Sequence, residues 1–495
     1  MAALVEVFHR NGAVISGSDV AERFYTDDIL EALKIKALSF SESNVSKDIN
    51  LVVYSSAYKL DSNLDLIAAQ KLGVPCMLYN EALGAYSERS FSAGVCGVHG
   101  KTSATGLAGT ILSELDLGAQ VLAGSVINSF GKKCVYTSPL FSACIKEENS
   151  SSAVCGGRAV PQKFFVAETC EYQRHFMSFC PKIILLTSVE SDHQDFYPTF
   201  ADIQAAFVDY ILKLPQDGIL ICCADDEGAV QTAKIALEKR PDIKVVWYGQ
   251  KAAGPWRLEF REVKEQKNNF WTEFLGGAFL RFPGRHEVLD AVGAAALCSE
   301  LLRAAGKNPS DYVKKIKAGL EKFLGGKRRS EVTGTAKNSF GDDIVFVDDY
   351  GHHPTAIKTT LEGYKEFYSG KKIIVDFMSH TYSRTQALLK EFASSFDAAD
   401  TVIFNKIYSS ARENPADFSI TGKTLSDEAA KLHNDVHYKE EFDDAAEFAK
   451  AELSKKAGPQ FPNGYLFVTM GAGDNWKVAQ KILLSGGLKV LEGGK

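Results

Sequence analysis

The chain has 495 residues, of which 45% are hydrophobic and 24% charged, with a formal net charge of −6. That length exceeds what one hydrophobic core supports and points to three compact units, while the mildly negative balance excludes long-range attraction to nucleic acid or an anionic membrane and leaves small molecules as the expected partners. No apolar run reaches the roughly 18 to 20 residues of a membrane helix, no basic-then-apolar leader opens the chain, and the ten cysteines include no CxxC pair, so a cytoplasmic chain with free thiols is expected.

Short apolar strands alternate with amphipathic helical stretches throughout, the pattern of parallel sheets covered by helices, so the fold class is α/β. The first unit, residues 1–87, carries strand-like AVISGSD and INLVVYSSA around the helical DDILEALK and is expected to be Rossmann-like. The second unit, residues 88–324, opens with the strand FSAGVCGV and the helix-forming GKTSATGLAGTILSEL. Between them, Gly97-Val98-His99-Gly100-Lys101-Thr102 has the make-up of a phosphate loop. Glycines let backbone N–H groups approach phosphate oxygens, Lys101 neutralises the β and γ phosphates, and Thr102 offers a hydroxyl to Mg²⁺. The Ser-, Gly- and Pro-rich stretch from Tyr136 to Gln162 is read as a long loop. Glu168 and His193 each follow a strand expected beside the phosphate-loop strand, which makes them candidate metal ligands. Trp256 to Phe282 alternates like an antiparallel ribbon and is followed by two helical segments, HEVLDAVGAAALCSELLRAAG and PSDYVKKIKAGLEKF, then by a Gly325-Gly326 hinge.

The third unit, residues 325–495, repeats the strand and helix alternation and is expected to be Rossmann-like, with its working loops at strand C-termini. Two clusters stand there. Asp348-Asp349-Tyr350-Gly351-His352-His353-Pro354 places adjacent carboxylates at a strand end, where mutual repulsion calls for a ribose hydroxyl, a cation or an ammonium ion. Ser379-His380-Thr381-Tyr382-Ser383-Arg384-Thr385 offers Arg384 as a fork for a carboxylate.

Taken in order, these motifs resemble those of the Mur ligases over almost the whole chain. GVHGKT resembles the family's GTHGKT, LTSVESDHQDFY its TNIEADHMDTY, FPGRHEVLD its PGRHNxLN and GGKRRSE its GxGRRFD. VDDYGHHPTAI and SHTYSRT are similar to the alanine-adding branch, whereas a tripeptide-adding branch has a segment like EPRSNT in place of SHTYSRT. The resemblance implies a three-domain, ATP- and Mg²⁺-dependent ligase acting on UDP-N-acetylmuramate and L-alanine, as a monomer or weak homodimer. By it, Gly97, Gly100, Lys101 and Thr102 hold ATP phosphates, and Thr102, Glu168 and His193 the metal. His286, Glu287 and Asp290 lie on the adenine side, where Glu287 and Asp290 replace asparagines, and Arg328 or Arg329 reaches the triphosphate. Asp349 binds the ribose, while Tyr350, His352, His380 and Arg384 frame the amino acid. Ser18, Asp19 and Ser55 hold the UDP part. The family also has a strand and a GIGGxGM-like loop ahead of the helix written here as MAALVEVFHRNG, so Met1 is expected to be an internal methionine of a longer chain, with weakened UDP-sugar binding. A GxGxxG fingerprint is absent before AVISGSD, which disfavours an NAD-dependent oxidoreductase.

Overall fold

The computed structural model describes residues 1–22, 26–149, 162–409 and 413–491. The first unit holds two parallel ribbons, β1 (Gly17–Ser18) with β2 (Ala37–Leu38) and β3 (Val52–Tyr54) with β4 (Cys76–Leu78), which do not pair with each other. The Rossmann-like unit expected there, without its first strand, is present as these two separate parallel ribbons. β1 and β2 carry no buried residue, so that ribbon packs no core of its own. The helix Ala2–Arg10 packs on the second unit, with Leu4 and Val7 in one core with Leu122, Val135 and Phe165, against which Val53 of β3 and Met77 of β4 also pack. Its Glu6, 1% exposed, accepts from the backbone N–H of Cys134 at 3.2 Å and Val135 at 3.1 Å.

The second unit is built on a seven-stranded sheet of β5 (Phe91–Cys96), β6 (Ala119–Ile127), β7 (Lys133–Thr137), β8 (Phe164–Glu168), β9 (Ile183–Leu186), β10 (Ile219–Cys223) and β11 (Lys244–Tyr248). The order is β11-β10-β9-β5-β8-β6-β7, parallel except for the β7 edge. Because β5 lies between β8 and β9, the loops leaving all three strands open side by side, the topological position where such sheets bind ligands. The ribbon predicted from alternation is present as β12 (Leu258–Lys264), β13 (Lys267–Thr272) and β14 (Gly276–Leu280), and the helix Arg285–Ala304 packs behind the sheet. The long loop predicted over Tyr136 to Gln162 is not wholly a loop. β7 runs to Thr137 and Pro139–Asn149 is a helix, capped by Ser138 Oγ accepting from Phe141 N at 3.2 Å and anchored by buried Phe141 and Cys144, one turn apart. Residues 150–161 of that stretch lie outside the described residues.

The third unit carries β15 (Glu331–Lys337), β16 (Asp343–Asp349), β17 (Lys372–Phe377), β18 (Thr401–Phe404), β19 (Val436–Tyr438), β20 (Tyr465–Met470) and β21 (Lys489–Val490). Their order, β19-β18-β17-β20-β16-β15-β21, is parallel from β19 to β16. β20 lies between β16 and β17 and parallel to both, so the loops after β16, β17 and β20 frame one crevice. The predicted hinge glycines are pinned to the second sheet in this conformation: Asn128 N donates to Gly325 O at 3.0 Å and Lys327 N to Val126 O at 2.8 Å.

Candidate active site

The phosphate loop joins β5 to the helix Lys101–Glu114. Gly97 has φ 142° and a Cβ there would sit 2.0 Å from Thr187 Oγ1; Gly100 has φ 80° and its Cβ would lie 2.4 Å from Asp290 Oδ1. Both positions demand glycine. The loop is braced from β9, since Ser188 Oγ accepts from His99 N at 2.9 Å and Ser188 O from Val98 N at 3.0 Å.

Register sets Glu168 beside Val95, and its carboxylate accepts from Thr102 Oγ1 at 3.1 Å and from Gly124 N at 2.6 Å. Lys101 Nζ lies 2.9 Å from Glu171 Oε2, and His193 Nε2 lies 3.3 Å from Glu171 Oε1. Thus Lys101, Thr102, Glu168 and His193 come together as the sequence reading placed them, and Glu171 joins them unforeseen. An acid three residues after Glu168 was the available signal. Burial alone would raise the Glu171 carboxyl, but Lys101 and then His193 outweigh it and hold it below the usual range. Likewise burial opposes the Lys101 charge, and Glu171 foremost restores it, holding the ammonium above the ordinary lysine value. The oxygens of Thr102, Glu168 and Glu171 form the hard donor set that Mg²⁺ prefers, and buried Glu171 Oε2 carries no well-aligned hydrogen bond of its own.

His286, Glu287 and Asp290 occupy the first turns of the helix Arg285–Ala304. Ser103 Oγ donates to Glu287 Oε1 at 2.9 Å. Burial pushes Glu287 up to about 7, and burial followed by the Glu287 charge pushes Asp290 well above its usual value. Burial holds His286 down to about 4.

The two candidate arginines part company. Arg328 is spent within the third unit, with Nε donating to Asp348 Oδ2 at 2.8 Å, Nη1 to Gly473 O at 2.9 Å and Nη2 to Gly471 O at 2.7 Å. Arg329 keeps its guanidinium over the Tyr350 ring, 5.3 Å from the centroid, and is the cation acting on Glu287 and Asp290. The expected repulsion between Asp348 and Asp349 is also resolved internally. Successive side chains of β16 face opposite sides of the sheet, so Asp348 meets Arg328 while Asp349 accepts from Ser330 N and Gly351 N, each at 2.7 Å.

On the amino-acid side, the Tyr350 and His352 rings lie 5.1 Å apart, the His352 and His380 rings 6.3 Å, and His380 stacks on Tyr408 at 5.3 Å. Burial, then Arg384, hold His352 well below the ordinary histidine value, so the ring is neutral. Arg384 Nη1 donates to His380 O at 2.8 Å and Nη2 to Asp192 Oδ1 at 2.7 Å. Asp192, beside His193, was missed by the sequence reading and binds the fork expected for a substrate carboxylate. Burial would raise its carboxyl, but Arg384 foremost holds it well below the usual range. This buried ion pair joins the second and third sheets. Nearby, burial and His99 hold His353 down to about 4.

Ser18, Asp19 and Ser55 lie in the first unit, where Ser18 Oγ donates to Asp65, Asp19 accepts from the Tyr58 hydroxyl at 2.8 Å and Ser55 Oγ accepts from Ala57 N at 3.3 Å. Among the described residues no helix is long and apolar enough to cross a membrane.

A braced phosphate loop, an acid and imidazole cluster at its mouth, and a second α/β sheet closed over it by a buried ion pair define a multi-unit nucleotide-dependent α/β enzyme. Comparison narrows this class. Residues 1–90 match the Mur ligase family catalytic domain, 95–298 the Mur ligase middle domain and 328–473 the Mur ligase glutamate ligase domain. The chain is 42% identical over 483 residues, 97% of its length and 93% of the relative's, to UDP-N-acetylmuramate–L-alanine ligase of Treponema pallidum strain Nichols. It is 33% identical over 473 residues, 94% of its length and 92% of the relative's, to the protein of that name from Borreliella burgdorferi. Among solved structures it resembles UDP-N-acetylmuramate-alanine ligase from Thermotoga maritima, with TM-score 0.72, 21% identity and coverage of 98% and 95% of the two chains. A murein peptide ligase from Psychrobacter arcticus has TM-score 0.63, 20% identity and coverage of 98% and 96%. The chain belongs to the Mur ligase family.

Proposed function

We propose that the protein is an ADP-forming ligase that joins L-alanine to the lactyl carboxylate of UDP-N-acetylmuramate, a cytoplasmic step of peptidoglycan precursor synthesis. The observation that carries this reading is the meeting of two sites across one crevice: the Lys101, Glu168, Glu171 and His193 cluster on one side, and Tyr350, His352, His380 and Arg384 on the other, joined at Asp192–Arg384 over 2.7 Å. The shared name of the relatives above supports the substrate pair. We assign UDP-sugar binding to residues 1–87, with Ser18, Asp19 and Ser55, ATP binding to 88–324, and amino-acid binding to 325–495.

A carboxylate is a poor electrophile at neutral pH, so an amide requires a better leaving group. The lactyl carboxylate attacks the γ-phosphoryl group of ATP, breaking its bond to ADP and giving an acyl phosphate. Lys101 stabilises the transferring charge, and Gly97 and Gly100 let loop N–H groups reach the phosphates. Thr102, Glu168 and His193, with Glu171, would hold Mg²⁺, which when bound supplies charge neutralisation and in-line alignment of the phosphates. Arg329 adds positive charge from the third unit, whereas Arg328 holds the loop that presents it. Asp349 shapes the ribose side, and His286, Glu287 and Asp290 the adenine side. Arg384 receives the amino acid's carboxylate in exchange for Asp192, the amine attacks the acyl carbonyl and expels inorganic phosphate to leave the amide, and neutral His352 takes the proton that the amine sheds. Closure between the sheets keeps water from the acyl phosphate.

The test is an ADP-release assay with UDP-N-acetylmuramate and a panel of L-alanine, glycine, L-serine and the L-Ala-γ-D-Glu-diaminopimelate tripeptide. L-Alanine gives the highest kcat/KM; a preference for the tripeptide overturns the assignment.

A further inference from the structure

Beside the catalytic cluster and sharing no residue with it, His99, Glu190 and His353 converge from three separate segments: the phosphate loop, the loop after β9, and the start of the helix Pro354–Phe367. His99 Nε2 lies 3.3 Å from Glu190 Oε2 and His353 Nδ1 lies 3.8 Å from the same oxygen, with all three donor atoms within 4.8 Å of one another. We propose that these residues form a second cation site, for a borderline metal of the Zn²⁺ or Co²⁺ class, that latches the third unit onto the phosphate loop.

Four observations carry this. Zinc bonds of about 2.0–2.2 Å in a tetrahedron set neighbouring donors roughly 3.3–3.5 Å apart, so the two carboxylate–imidazole distances of 3.3 and 3.8 Å already lie at or near that spacing, and side-chain rotation of His99 or His353 brings the imidazole pair, within 4.8 Å, to it. His353 Nδ1 is buried with no hydrogen-bond partner, and its side chain is 9% exposed; a buried donor atom aimed at an unmet position calls for a ligand. The segments are braced, the His99 backbone N–H donating to Ser188 Oγ and the Glu190 carboxylate accepting from the Thr355 hydroxyl, the latter as an outer partner orients a ligand in metal sites. The donor set of two imidazoles and one carboxylate suits a borderline ion, whereas Mg²⁺ favours the oxygen-rich cluster at Thr102, Glu168 and Glu171. Three protein ligands leave a fourth position, and a cleft of about 490 Å³ lined by Glu190, Asp226, Gln231 and His353 provides the entry path.

Because His353 belongs to the third unit and His99 and Glu190 to the second, the bound cation favours the closed arrangement over an open one by mass action. The experiment titrates the full, nucleotide-free chain with Co²⁺, reading visible ligand-field absorption, and repeats the titration with Zn²⁺ by calorimetry and thermal melting. One Co²⁺ per chain should bind with the strong absorption of a four-coordinate site. His99→Ala, Glu190→Gln and His353→Ala should each weaken binding by more than about a hundredfold, since losing even an outer partner costs 10–100-fold, and should abolish the Zn²⁺-induced rise in melting temperature. His193→Ala should leave both readouts unchanged. The proposal is overturned if the chain takes up no Co²⁺, if His99→Ala and His353→Ala retain the parent spectrum and affinity, or if His193→Ala removes them. Since His99→Ala touches the phosphate loop, circular dichroism of each variant without metal distinguishes lost ligation from lost fold, and a folded Glu190→Gln that binds like the parent counts against the site.

Discussion

The pairing of Lys101 with Glu171 makes a prediction that the sequence reading alone does not. As a residue acting only on phosphate, Lys101 would be removable at no cost to the fold. In the structure its side chain is 14% exposed and Glu171's is 2% exposed, with 2.9 Å between charges. Removing one member of such a pair leaves a buried charge unmatched, at about 3–5 kcal/mol. His193, 3.3 Å from Glu171 Oε1, remains to offset part of that, so the lower end, about 3 kcal/mol, is expected for Lys101→Met. At about 2–4 °C per kcal/mol for a unit of this size, the melting temperature should fall by about 6–12 °C, and turnover by at least about a thousandfold. The double variant Lys101→Met, Glu171→Gln removes both charges and should recover most of the melting temperature while staying inactive, because replacing a buried pair entirely is often neutral. Differential scanning calorimetry of the three proteins, with ADP release alongside, measures both. If Lys101→Met melts with the parent, or the double variant melts as low as the single, the buried-pair reasoning fails.

Three further expectations follow from the same geometry. His193→Ala should raise the Mg²⁺ concentration for half-maximal rate by about tenfold or more, since the imidazole either ligates or orients Glu171; an unchanged Mg²⁺ titration returns it to a structural role. Arg384→Ala deletes a charge-assisted contact worth about 1.5–3 kcal/mol, so the KM for alanine should rise about 10–150-fold with the KM for ATP little changed, and equal effects on both would place Arg384 elsewhere. Glu287 sits at about 7 against an ordinary 4.5. The folded state therefore holds a proton that the unfolded chain loses, and this group's stabilising contribution, full below about pH 4.5, is lost as pH rises to about 7, by up to about 3 kcal/mol. Glu287→Gln should remove that part of the slope and be more stable than the parent at pH 8; denaturant melts at pH 5 and pH 8 that differ equally in both proteins would contradict it.

The α/β class, the phosphate loop, the ribbon after Trp256 and the clusters after β16 and β17 were legible because each rests on local pattern: period, glycine placement, or polar residues at a strand end. What escaped depends on distant contacts. Glu171 gives no local sign of its role, since Thr169 and Cys170 separate it from Glu168 and only the fold returns the chain to Lys101. Asp192 gave no local sign of its partner, which lies 192 positions along the chain. The strand alternation that separates Asp348 from Asp349 is written in the sequence too, beneath the more visible pairing of charges. The helix Pro139–Asn149 was hidden by the Ser- and Gly-rich residues that follow it, although Ser138-Pro139 is a good helix start.

In the proposed reaction the carboxylate is activated as an acyl phosphate before the amide forms. The most direct measurement uses UDP-N-acetylmuramate labelled with ¹⁸O in both lactyl carboxylate oxygens, incubated with ATP, Mg²⁺ and L-alanine. One labelled oxygen per turnover should appear in the released inorganic phosphate, with the other retained in the new amide carbonyl. Phosphate released without label, or label recovered in ADP or AMP, would contradict the mechanism.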